Sequence, residues 1–141
     1  MNKKLAIILV NWNQYELTKS CIMSIFNCSY QNFKIIVVDN CSKDKSVSKL
    51  NKDFPKVHFI LNNSNLGFTG ANNKGIEYAK SEGYEYIMLL NNDTEVDENF
   101  YPKLHPHITR SYSMIYNSKK GKTSKRDGYF WDEKGEKVIE V

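Results

Sequence analysis

"YIMLLNNDTEV", residues 86–96, is the stretch on which the reading of the chain turns. An apolar run, Ile87 to Leu90, stops abruptly at Asn91-Asn92-Asp93. A strand inside a sheet covered on both faces can be apolar throughout. In open α/β sheets, ligands bind just beyond the carboxyl ends of such strands. The plainer alternative is a turn, because Asn and Asp bend chains readily. Choosing between a turn and a ligand site takes the rest of the sequence.

Three further runs have the same character: "LAIILV" (5–10), "KIIVVD" (34–39) and "VHFIL" (57–61). Each is short, rich in β-branched or aromatic residues, and nearly continuous rather than alternating, which marks parallel strands buried on both faces. Helical patterns lie between them. Residues 14–26 set Leu17, Cys21 and Ile25 on one stripe, with Ile22 and Phe26 beside it. Asn13 followed by Glu16 predicts a capping-box start. Residues 44–52 predict a shorter helix capped by Asp44, with Val47 and Leu50 facing inward. Residues 69–81 place Ala71, Gly75, Ile76 and Ala79 at helical spacing, with Phe68 stapling the helix to the sheet and Gly83 as a left-handed stop. The β-α-β-α-β-α-β alternation implies right-handed crossovers. The fold class is α/β: a Rossmann-like, mostly parallel sheet with helices on both faces.

Beyond Asp93 the character changes. "EVDENFYPKL" (95–104) has the make-up of a short helix, ended by Pro106 at the latest. Residues 107–128 are polar and lysine-rich, and "YFWDEKGEKVIEV" (129–141) predicts a β-hairpin with Gly135 in its turn. Residues 1–106 are thus expected to form the ligand-binding α/β unit, with 107–141 completing or truncating the same domain.

Composition narrows the function classes. With 20 basic and 16 acidic residues in 141, the net charge is only +4, and the excess is spread along the chain. The local run "KKGKTSKR" (119–126) reads as a solvated loop, so nucleic acid is not an expected partner. No segment approaches the ~20 apolar residues of a membrane span. The start, "MNKKLAIILVNWN", has a short apolar run and no small-residue cleavage site, and reads as a first strand rather than a signal peptide. Cys21, Cys28 and Cys41 lack metal-ligand spacing; Cys21 and Cys28 read as buried free thiols, fitting a reducing, cytoplasmic setting. His105 and His107 flank Pro106 without a third ligand, and no metal is assigned to them.

The residues after the four strands are unusually polar: "NWN", "DNCSKD", "NNSNLGFTGANNKG" and "NNDTEV". Amides donate and accept hydrogen bonds, which suits a ligand carrying hydroxyls and ring nitrogens. The glycine fingerprint of dinucleotide-binding folds does not follow the first strand, and no P-loop occurs. The glycine-rich loop with arginine of sugar nucleotidyltransferases is missing, as are the acidic cluster and lysine of phosphoacceptor receivers.

Four blocks, "IILVNWNQYELTKSCIMSI", "IIVVDNCSKDKS", "NNSNLGFTGANNKGIEYA" and "YIMLLNNDTEVDENF", occur in this order over about residues 4–104. Together they resemble the nucleotide-binding half of glycosyltransferase family 2, a GT-A fold, in its rhamnosyltransferase-like branch. The resemblance implies that Asp39 accepts a hydrogen bond from a pyrimidine base, in a pocket lined by Asn11 and Asn13. Trp12 is read as packing. Gly67 and Gly70 would let backbone approach a ribose and diphosphate closely, with Asn65 and Asn73 as polar contacts. Asn91-Asn92-Asp93 stands at the place of the family's D-x-D motif. Asn91 would bind ribose or a metal-bound water, and Asp93 would ligate Mg²⁺ or Mn²⁺ bridging the phosphates. A hard cation there neutralises the charge that develops on the leaving diphosphate, and one carboxylate can suffice because Mg²⁺ keeps waters and takes phosphate oxygens.

The implied activity is transfer of a sugar from a nucleotide-diphospho-sugar, UDP- or dTDP-linked, to a saccharide or lipid-linked acceptor in cell-wall or polysaccharide synthesis. The implied setting is the cytoplasm or the inner face of its membrane, with room for peripheral membrane association and for oligomers. A family 2 transferase also needs a carboxylate base downstream of the D-x-D position. None of Asp127, Asp132, Glu133, Glu136 and Glu140 has a matching context, so the catalytic residue is left unassigned. The second reading is therefore a non-catalytic nucleotide or nucleotide-sugar binding module lacking the acceptor half.

Overall fold

The most continuous apolar segment, Leu5–Asn11 (β1), takes the middle of the sheet, where both its edges and both its faces are covered. The computed structural model describes residues 5–84 and 86–99, together with the backbone of residues 129–131 and 138–140. After β1 come α1 (Tyr15–Phe26), β2 (Phe33–Asp39), α2 (Ser46–Asp53), β3 (His58–Leu61), α3 (Gly67–Ser81) and β4 (Tyr86–Leu89). The sheet order is β3-β2-β1-β4, all parallel. β1 and β2 are in register from Leu5↔Phe33 to Asn11↔Asp39, and β1 and β4 from Leu5↔Tyr86 to Ile8↔Leu89.

The order explains the layers. The chain steps outward from β1 through β2 to β3, then returns across the sheet to β4. With crossovers of one hand, that reversal must send α3 to the face opposite α1 and α2. Alternate strand residues accordingly feed two separate cores. Leu5, Ile7, Leu9, Ile35, Val37 and Met88 pack with Cys21, Ile22, Ile25 of α1 and Leu50 of α2. Ala6, Ile8, Ile36, Val38, Ile87 and Leu89 pack with Ala71, Ile76 and Ala79 of α3. Helix α3 lies so close that a Cβ on Gly75 would stand 2.6 Å from Ile8 Cγ2, which is why no larger residue fits there.

Several local expectations are corrected. The first helix begins at Tyr15 behind Gln14, without a side-chain cap. Asn13 instead takes a left-handed φ of 51°, and its Oδ1 accepts from the backbone N–H of Lys43 and Asp44. Leu17 is turned outward, 44% exposed, and Thr18 takes the buried place. The third helix begins at Gly67, two residues earlier than its spacing predicts. The cap position of α2 is Lys45 rather than Asp44. Asp44, one residue earlier, still steadies the helix start, its Oδ1 accepting from Ser46 N at 3.0 Å and Ser46 Oγ at 2.6 Å. Gly83 has the expected positive φ, 76°.

Residues 95–99 form loop and turn rather than the start of a helix. The hairpin strands β5 (Tyr129–Trp131) and β6 (Val138–Glu140) pair antiparallel with Tyr129 opposite Glu140. The hairpin turn with Gly135, the 107–128 segment and both His105 and His107 lie outside the described residues. Among the described residues, no helix is long and apolar enough to cross a membrane.

Candidate functional site

Because the chain reverses between β1 and β4, the loops leaving those two neighbouring strands diverge and open a crevice at their carboxyl ends. A cleft of about 460 Å³ occupies this point. Trp12, Gln14 and Leu17 line one side, Asn40, Asn65, Gly67 and Phe68 another, and Asn91, Asn92 and Asp93 a third. A hollow of about 540 Å³ lies at the far end of the sheet, walled by Phe26, Phe33 and Phe54. It is not where the strand-end amides converge, and the polar cleft has the stronger claim to chemistry.

Behind the cleft wall lies a hydrogen-bonded network built on Asn11, the last residue of β1. Its side chain is fully buried. Nδ2 donates to Asp39 Oδ1 and Ser46 Oγ, each at 2.9 Å, and lies 3.3 Å from Ser42 Oγ. Oδ1 accepts from Thr18 Oγ1 at 2.7 Å. Asp39, opposite Asn11 in the register and 4% exposed, is held from its own loop as well. Ser42 Oγ donates to its Oδ1 at 2.6 Å and Ser42 N to its Oδ2 at 2.8 Å. A carboxylate offers about four lone-pair sites, so Oδ2 keeps acceptor capacity for one more donor.

Asn40 organises the next loop. Its Nδ2 donates to Asn65 Oδ1 at 2.7 Å and Gly67 O at 3.2 Å, while its Oδ1 accepts from Leu66 N at 2.8 Å. Asn65 Oδ1 also accepts from Gly67 N at 2.9 Å. Gly67 has a φ of 72° at the first position of α3, a conformation that residues with a Cβ adopt only under strain. The N-terminus of α3, at Gly67 and Phe68, stands at the cleft, where the positive end of the helix dipole favours an anion, although Gly67 N–H is itself taken up by Asn65.

The third wall is the turn after β4. Asn92 Nδ2 donates to Gln14 Oε1 at 2.9 Å and Thr18 Oγ1 at 3.0 Å, fastening the turn to the start of α1. Thr94 N donates to Asn91 O at 3.1 Å and closes the turn. Beneath it, burial pushes the Cys21 thiol up to about 12, so Sγ stays a neutral donor to Asn91 O at 3.8 Å. Among the described residues, neither the Asn91 amide nor the exposed Asp93 carboxylate has a side-chain hydrogen-bond partner. Nor do the described residues contain a group of three or more His, Cys, Asp or Glu that could hold a metal alone. One free carboxylate facing a polar cleft fits a cation that arrives with phosphate oxygens and water as its other ligands.

Of the residues singled out from sequence, Asn65, Gly67, Asn91 and Asp93 are brought to the one cleft. Asn11 and Asp39 meet behind its wall, Asn13 braces the 42–44 loop, and Asn73 sits exposed on α3 apart from the lining. Trp12 and Phe68 are not packing residues: they are 51% and 47% exposed and both line the cleft. Sequence reasoning passed over Thr18, Asn40, Ser42, Ser46 and Asn92. Asn40 follows Asp39 directly, and its place at a strand end was the available signal.

The family model described as Glycosyl transferase family 2 matches residues 6–139, reaching well beyond the 4–104 blocks. Among curated proteins, the chain is 34% identical over 115 residues to the dTDP-rhamnosyl transferase RfbF of Shigella flexneri, covering 82% of this chain and 38% of that protein. It is 31% identical over 113 residues to the low-salt glycan biosynthesis hexosyltransferase Agl10 of Haloferax volcanii, covering 79% of this chain and 35% of that one. The chain thus spans well under half the length of these relatives. Among solved structures, S. aureus TarS 1–349 in complex with UDP superposes with a TM-score of 0.65 at 19% identity, over 74% of this chain and 32% of that one. The mannosyltransferase PcManGT from Pyrobaculum calidifontis, in complex with GDP-Man and Mn²⁺, gives 0.53 at 20% identity, over 63% and 27%. These likenesses confirm the GT-A architecture. By the match over nearly its whole length, the chain belongs to glycosyl transferase family 2.

Proposed function

We propose that this chain is the donor-binding portion of a glycosyltransferase that moves a sugar from a nucleotide-diphospho-sugar with divalent-metal assistance. The observation that carries the reading is the convergence of four strand-end loops on one cleft at the sheet's switch point, with Asp93 as its free carboxylate. Asp39, fixed by Asn11 and Ser42, presents Oδ2 to a base N–H, and Asn13 keeps the 42–44 loop in place beside it. Asn65, Gly67 and the positive N-terminal end of α3 serve the ribose and diphosphate, whereas Asn73 lies apart from the cleft and has no contact in this reading. Asn91 binds a ribose hydroxyl or a metal-bound water, and Asp93 ligates Mg²⁺ or Mn²⁺. That cation, when bound, neutralises charge on the departing diphosphate.

Two of the relatives favour a pyrimidine donor, and a third, in complex with a purine nucleotide-sugar, favours a metal. One is named a dTDP-rhamnosyl transferase, one neighbour is a UDP complex, and another holds GDP-Man with Mn²⁺. A saccharide or lipid-linked acceptor and a place at the cytoplasmic face of a membrane go with this chemistry. The test is thermal unfolding against UDP, dTDP, GDP and ADP, each with and without Mn²⁺. A ligand at 100 times its dissociation constant adds about 2.7 kcal/mol. A metal-dependent shift with one pyrimidine diphosphate, lost in Asp93→Ala, is the expected result; no shift with any of the four would sink the reading. Release of free nucleotide from a donor sugar separates a working transferase from a binding module.

A further inference from the structure

The network behind the cleft has a direction. Asn92 Nδ2–H donates to Thr18 Oγ1, whose own hydrogen goes to Asn11 Oδ1, and the other end of the same amide donates through Nδ2 to Asp39 Oδ1. Each bond polarises the next in the same sense, so the links strengthen one another in a buried, low-dielectric setting. One end of this chain is the turn that carries Asp93; the other is the carboxylate of the 39–42 loop. Asn11 and Thr18 are fully buried and Asn92 half-buried, so water does not readily substitute for a missing member. The three links run across separations of 74, 7 and 28 residues, and none belongs to a helix or sheet ladder. Regular structure would therefore form without them.

We infer that Thr18 is a positioning residue that couples the metal end of the donor site to its nucleoside end. The inference rests on the reading of the cleft as a nucleotide-diphosphate and metal site. A hydroxyl is the smallest group that can both accept from Asn92 and donate to Asn11. Gln14 anchors Asn92 as well, but it accepts only, at the exposed N-terminal boundary of α1, and transmits nothing inward. When metal and phosphates draw on Asp93, the adjacent Asn92 is held by Thr18, and the same hydroxyl sets the amide that orients Asp39. Binding at one end then favours binding at the other, and by linkage the effect is reciprocal.

The experiment is UDP and dTDP binding to the full chain by calorimetry, with and without Mn²⁺, for the native protein, Thr18→Val, Thr18→Ser and Asn92→Ala. A merely structural role would weaken nucleotide binding equally in both conditions. The coupling role predicts that the factor by which Mn²⁺ tightens the nucleotide falls by about tenfold in Thr18→Val, and that Thr18→Ser restores it. Asn92→Ala breaks the same chain from its outer end and is expected to lose the factor as well. It carries the test if Thr18→Val does not fold. An unchanged factor in Thr18→Val, or in Asn92→Ala where that variant stands in, overturns the inference while leaving the donor-site reading intact. Absence of nucleotide binding by the native chain overturns both.

Discussion

Asp39 and Asp93 stand at the ends of strands that flank β1 on its two sides, yet their surroundings are opposite. Asp39 is buried and receives three hydrogen bonds from Asn11 and Ser42. Asp93 is exposed, and no described side chain or backbone group donates to it. The first carboxylate is fixed before any ligand arrives, so it can select by geometry. The second keeps its lone pairs free, so it can enter the coordination of an incoming cation. In a family 2 donor site, the base end would thus be rigid and the phosphate end adaptable.

The largest effect on this contrast is expected from Asn11→Leu. The change strips a donor from a buried carboxylate and an acceptor from Thr18, and should cost about 3 kcal/mol in urea unfolding. A loss under about 1 kcal/mol would mean that Asp39 is satisfied without Asn11. Gly67→Ala comes next. There is open space around its Cβ position, so only the positive φ opposes the change, and about 1 kcal/mol is expected. Asp93→Ala should alter stability by less than about 0.5 kcal/mol, because no described contact is lost. The same variant should abolish the Mn²⁺-dependent part of nucleotide binding, and a large stability loss would show that Asp93 is a structural residue after all.

The smallest effect is a pH dependence from Asp44, the outermost member of the Asn11–Ser46 network. Hydrogen bonds from the Ser46 hydroxyl and backbone hold its carboxyl below the ordinary 3.8. A depressed folded value means that its contribution is fully present above 3.8 and is lost as pH falls through the lower folded value. Comparison of acid unfolding between the native chain and Asp44→Asn should show the variant flatter in that window and parallel to it at neutral pH.

The sheet was legible because β1, β2 and β4, largely covered on both faces, must be apolar on both. β3, at the sheet edge, is only half-buried, with Leu61 exposed, so the expectation that its run is buried on both faces is wrong. Helix spacing gave the right helices but not their rotation. The stripe pattern turned Leu17 inward, whereas the buried amide of Asn11 needs a hydroxyl, and Thr18 supplies it. Phe68 reads as a staple only if the helix starts after it; with Gly67 as first residue it faces the cleft. The carboxylates could be placed because their strands could. Their partners could not, since Asn92 and Gln14 are 78 residues apart and small polar residues have many possible mates along a chain.

The central position of β1 also has a consequence for how the molecule is made. Its first neighbour, β2, follows within a few tens of residues, but the partner for its other edge, Tyr86–Leu89, emerges roughly eighty residues after Leu5–Ile8. At ordinary rates of synthesis the nascent chain carries that open apolar edge for on the order of 4–16 s. During that interval β1 is the segment most exposed to pairing with a neighbouring chain, and the arrival of β4 ends the hazard.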